Sequence, residues 1–191
     1  MRRHRTVPRS RFSLHATSWL LCALTLGLSA NNAFAHRPNE STAQLRWQHQ
    51  RLECELILPL SLASIVLNDP AVPLINSENF PGVRERLQLR LIETFRVEVR
   101  DRTLTPVSDL TTVTLNADGE VLCSLVFPQE APGPLRVHAS FLQSASPDSF
   151  CWVRLWSEAD RVLGQKLLVR SAPRADFTPV RPESSTAPPP P

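Results

Sequence analysis

The amino-acid sequence predicts a mainly β fold, an antiparallel immunoglobulin-like β-sandwich with one helical insert. Three observations predict it. Short segments in which apolar and polar residues alternate with period two recur along the chain. Turn signals separate these segments at short, regular intervals. One stretch, 83–95, instead repeats its apolar positions at three and four residues, which is the helical period.

Taken in order, residues 42–49 and 51–58 read as two strands joined by a turn at 48–50. The second sets Leu52, Cys54, Leu56 and Leu58 on one face and Glu53 and Glu55 on the other. Residues 58–67 form a short apolar piece with the length of a helical turn or two. Residues 68–82 hold Pro70, Pro73 and Pro81 and read as loop. In the helix at 83–95, Val83, Leu87, Leu91, Ile92 and Phe95 supply the apolar stripe. Alternation resumes at 95–101, with Phe95, Val97 and Val99 against Arg96 and Glu98. The β-branched stretch 110–116, the hairpin turn 116–119 and the strand 121–127 follow. Residues 135–142 alternate Leu135, Val137, Ala139 and Phe141 against Arg136, His138 and Ser140. Residues 150–156 and 161–169 complete the set, joined by a turn at 157–160.

The first 35 residues have a different organisation. Arg2, Arg3, Arg5, Arg9 and Arg11 precede an uncharged apolar run, and Ala33 and Ala35 offer the small residues a signal peptidase reads. The sequence therefore predicts a secretory leader at 1–35, cleaved after Ala35, and a periplasmic or secreted protein. The apolar run is too short and interrupted for a membrane span, which takes about 20 apolar residues. Cleavage leaves 156 of the 191 residues, and removing five of the 21 basic residues leaves 16 against 18 acidic ones. The sequence pI of about 9.0 thus belongs largely to the leader. Nucleic acid loses its electrostatic basis as a partner.

Cys54, Cys123 and Cys151 remain after cleavage, all in register with apolar neighbours. An exported chain with an odd number predicts one disulfide and one leftover thiol, with three pairings open and the bond tying the sheets together. From Ser171 the chain carries seven prolines in 21 residues. It reads as a solvated, disordered tail, so the domains expected are a leader at 1–35, a sandwich at 36–170 and a tail at 171–191.

Signatures of catalysis are sparse. The sequence has no G-x-S-x-G elbow, H-E-x-x-H, phosphate-binding loop or G-x-G-x-x-G, and it is read as a non-enzyme. Metal is the sharper candidate. Processing after Ala35 makes His36 the first residue, where its amine and ring nitrogen can chelate together. Copper(II) favours such nitrogen-rich sites. A second histidine completes the set, and His138, outward on its strand, is the one assigned, with His49 at a hairpin end. Trp152, Arg154 and Trp156 share one face of their strand. They read either as a pair of indoles covered by the helix at 83–95 or as a binding surface for a sugar or a protein. Glu53 and Glu55 read as a solvated face.

The order of features resembles a known family. Ala35-His36-Arg37-Pro38 with Ser41, then FRVEVRDRTLTPVSDLTTVTL, then DGEVLCSLVFPQEAPGPLRVHASFL and finally GQKLLV are similar to the extracytoplasmic N-terminal domains of bacterial HupE/UreJ-type hydrogenase and urease accessory proteins. The resemblance implies an exported β-rich module near metal handling, with no metal specified. Two departures limit it. Where those domains carry an acidic, calcium-type loop, residues 68–82 hold only Asp69 and Glu78, so no calcium site is implied. Their membrane part has no counterpart here, so neither is transport. The function expected is an exported, non-catalytic binding or interaction module of the cell envelope, partnered by an envelope protein or a membrane permease. The alternative is a copper- or nickel-binding accessory protein using His36.

Overall fold

The computed structural model describes residues 39–128 and 133–178. The leader, the cleavage site at Ala35, His36 and residues 179–191 lie outside the described residues. Over the described residues the chain is a β-sandwich of ten strands and two helices. A six-stranded sheet has the order β5-β6-β2-β1-β8-β9, and a four-stranded sheet the order β10-β7-β3-β4.

The described residues open with the hairpin β1 (Glu40–Gln48) and β2 (Arg51–Pro59), turning through His49 at φ 34. Both strands bury every second residue, as period-two alternation requires. The insert that follows contains two helices, α1 (Leu60–Leu67) and α2 (Phe80–Thr94). α1 ends on Asn68 in the left-handed conformation, a cap asparagine tolerates well. Buried Ser64 donates to the Leu60 carbonyl and accepts from the Ile75 amide, which pins the loop after α1 to the helix. α2 starts three residues earlier than its apolar stripe suggests. Pro81 sits in the first turn, where its missing N–H leaves nothing unpaired. Phe80, Val83, Leu87 and Leu91 are its buried face.

The chain then crosses to the small sheet with β3 (Phe95–Val99) and β4 (Arg102–Thr103), and returns to the large one with β5 (Thr112–Leu115) and β6 (Glu120–Pro128). The hairpin at 116–119 forms as expected. Gly119 takes φ +77, and Asn116 Oδ1 accepts from the Asp118 and Glu120 amides. β7 (Leu135–Ala139) lies in the small sheet, β8 (Phe150–Trp156) and β9 (Val162–Val169) in the large one, and β10 (Arg174–Phe177) in the small one. The inner faces of both sheets and both helices feed a single apolar core. No helix among the described residues is long and apolar enough to cross a membrane.

Four expectations are corrected. First, the sandwich is not wholly antiparallel, because β1 pairs with β8 in parallel, Ala43 facing Val153 and Leu45 facing Leu155. Alternation reports which face is buried and is silent on strand direction. Second, the strand expected at 135–142 ends at Ala139, and Ser140–Gln143 form a 3-10 turn. Phe141 and Leu142 are both buried, which no continuing strand at one core face can achieve. Third, part of the supposed solvated tail is folded. Ala175 and Phe177 of β10 are buried, and the strand pairs with β7.

The fourth correction concerns the disulfide. Cys54, Cys123 and Cys151 are all free and buried. All three belong to the six-stranded sheet, so no pair among them links the two layers. Cys54 lies opposite Leu125 and Cys123 opposite Leu56, which makes the two cysteines diagonal neighbours. Diagonal positions lie about 7–8 Å apart, beyond ordinary disulfide reach. Cys151 is farther off, with β1 between its strand and β2.

Candidate functional site

The site is assembled on the outer face of the six-stranded sheet. Opposite each inward core residue on β1, β2, β6 and β8 stands an outward one, and the register aligns the outward residues into rows across the strands. The central row runs Gln165, Arg154, Gln44, Glu55, Ser124, Thr112, from β9 at one edge to β5 at the other. Every member is polar. Along it, Arg154 Nε donates to Gln165 Oε1 at 2.9 Å.

Rows with apolar residues flank it on both sides. One runs Leu167, Trp152, Thr42, Ile57, Leu122, Thr114. The other runs Val162, Trp156, Arg46, Glu53, Val126. Trp152, Trp156, Ile57, Leu122 and Val126 are half-buried, whereas Val162 and Leu167 on the edge strand are exposed. Between the central row and the row of Trp156 lies a depression of about 460 Å³ lined by Gln44, Arg46, Glu53, Glu55, Ser124 and Val126 among others.

The charges on this face are largely spoken for. The Arg46 guanidinium lies 5.6 Å from the ring centre of Trp156, a cation–π contact, and pairs with Asp160 in the β8–β9 turn. Arg51 pairs with Glu53 at 2.6 Å. Arg154 and Glu55 are left as the two charged members of the central row, one of each sign. Glu53 and Glu55 project the same way from one strand.

Trp152, Arg154 and Trp156 thus share a face, as their alternation predicts, and the reading in which the helix covers them is corrected. α2 packs against α1, β5 and β3, and the two indoles remain half-exposed on the sheet. Gln44, Ser124 and Thr112 carry no signal of their own in the sequence. Only the register brings them into one row with Glu55.

Of the residues assigned to metal, only the histidines of β7 and of the β1–β2 turn fall among the described residues. His36 lies outside the described residues. His138 stands on the outer face of the small sheet, directly between Arg96 of β3 and Arg174 of β10. Burial first, then these two guanidiniums, lower its pKa against a weaker opposing pull from Glu98. That field opposes a divalent cation. His49 is exposed and paired with Glu158. Among the described residues no group of three or more His, Cys, Asp or Glu side chains is placed to hold a metal ion.

Comparison of the chain with protein-family models and with curated proteins returns no match.

Proposed function

We propose that this chain is an exported, non-catalytic binding module of the cell envelope, and that the outer face of its six-stranded sheet is the binding surface. Export rests on the basic, apolar and small-residue order of residues 1–35. The surface rests on one observation, the polar row from Gln165 to Thr112 running between two rows that each carry a half-exposed tryptophan. Isolated apolar residues are common on protein surfaces, but tryptophans flanking an aligned set of hydrogen-bonding side chains supply contact area and orientation together.

Co-sedimentation of the processed chain with purified cell envelopes of its source organism tests the reading. Gln44→Arg and Ser124→Arg place a long cation in the depression without touching the core, and binding is expected to be lost. Leu89→Arg, at a position 62% exposed on α2, is expected to leave it intact. Binding that survives both depression variants refutes the assignment of this face. The alternative, a copper- or nickel-binding accessory protein, rests on His36 opening the processed chain. Copper(II) affinity unchanged by one glycine added ahead of His36 removes it.

A further inference from the structure

We infer that the ligand of this face is a neutral, β-linked pyranose chain lying across the strands; the inference rests on the binding reading above. Charge narrows the class first. The central row carries one guanidinium and one carboxylate, Arg154 and Glu55, and the other members are amides and hydroxyls. Beside it, Arg46 is engaged with Asp160 and Arg51 with Glu53. A balanced surface offers no net attraction to a polyanion, which needs uncompensated Lys and Arg. It also lacks the broad apolar face with a basic margin that seats a protein on a lipid surface.

Hydrogen-bond chemistry narrows it further. Gln44, Gln165, Ser124 and Thr112 each donate and accept, Arg154 only donates and Glu55 accepts. Sugar hydroxyls also donate and accept, and they can answer every one of these groups in turn. Pyranose rings carry apolar C–H faces as well, and Trp152 with Ile57 and Leu122 on one side, and Val126 with the rim of Trp156 on the other, provide apolar surface for them.

Geometry sets the direction. Neighbouring strands lie about 4.8 Å apart, so the row presents one polar side chain at about the repeat of a pyranose ring. The flanking rows lie four residues apart along β1, β2, β6 and β8, roughly 13 Å, which leaves a floor about one ring wide. An open floor of this kind accepts an extended ribbon, the form of β-1,4-linked chains.

Cello-oligosaccharides and chito-oligosaccharides are the probes, titrated into the processed full chain while the indole N–H resonances are followed. The expected result is a saturable shift of Trp152 and Trp156 with inward-facing Trp47 unmoved. Gln44→Ala and Glu55→Gln are each expected to weaken binding about threefold to tenfold, the effect of one lost hydrogen bond. Trp152→Ala is expected to weaken it roughly tenfold or more. The Gln44 and Glu55 variants change outward side chains only, so their effect is separable from any loss of folding. Absence of a saturable shift with both series overturns the saccharide assignment, as does binding indifferent to all three substitutions. If envelope co-sedimentation still depends on Gln44 and Ser124 while free oligosaccharides neither shift the indoles nor compete, the saccharide fails and the binding face stands. If that dependence is absent too, both fail.

Discussion

Burial governs the three inward thiols. The Cys123 and Cys151 thiols are pushed up to about 12 by desolvation. Cys54 is raised well above the ordinary range, first by desolvation and then by the nearby charges that Cys123, Cys151 and Glu55 would add. The thiolate is the reactive form, so the folded protein is expected to resist iodoacetamide at mildly alkaline pH. Denatured without reductant, the processed chain is expected to take up three alkyl groups in its intact mass, and fewer would mean that a disulfide had formed. His138 shows the opposite direction for a base. Its folded pKa lies below the unfolded value of about 6.5, through burial and then through Arg96 and Arg174, with Glu98 opposing. The unfolded chain therefore takes up the proton first. The contribution to stability is fully present above the unfolded value and is lost as pH falls through the folded one. Arg96→Gln is expected to raise the His138 pKa in an NMR titration without restoring the unfolded value, because burial is the leading cause. A downward shift in that variant would contradict the assignment.

Among the elements, β10 is the one whose formation depends most on its surroundings. Its four residues, Arg174–Phe177, sit between Pro173 and Pro179, and two apolar positions at spacing two are too few to distinguish a strand from a loop. What orders it is β7, which supplies the backbone partners, and two side-chain anchors. Arg136 of β7 reaches Asp176 of β10 at 2.7 Å, Glu98 of β3 at 2.9 Å and Asp101 at 3.1 Å, joining three strands through one guanidinium. These carboxylates raise the Arg136 pKa above its already high ordinary value. Phe177 reaches the large sheet, where a Cβ on Gly164 of β9 would come within 3.0 Å of its ring. Glycine at that position lets the ring approach the strand. Phe177→Ala is expected to cost about 3 kcal/mol in urea unfolding, as for other large buried rings, and to remove amide protection along β10 first. A loss below about 1 kcal/mol would place β10 outside the cooperative fold. α2 is more legible, because its apolar spacing of three and four is a local property, and α1 reads in the sequence as a short apolar piece the length of a helical turn or two.

At the scale of the molecule, one apolar core joins both sheets and both helices. A single core predicts a single transition, with circular dichroism and tryptophan fluorescence coinciding across a urea titration. Two separated transitions would show that the small sheet or the helical insert unfolds independently. The same connectivity explains how the candidate site was divided between sequence and structure. Trp152, Arg154 and Trp156 lie on one strand, and their common face follows from the strand period alone. Gln44, Glu55, Ser124 and Thr112 lie on four strands, and they meet only once β1, β2, β6 and β5 have been placed side by side. The sequence by itself determined the β class, the positions of most strands and which side of each faces the core, because alternation and helical period are written within a few consecutive residues. Tertiary structure alone decided that β1 runs parallel to β8, that the three thiols stay apart, that β10 is a strand, and which outward side chains form a row. Backbone hydrogen bonds are chemically alike for every strand, so neighbour, direction and register are chosen by how whole faces pack together.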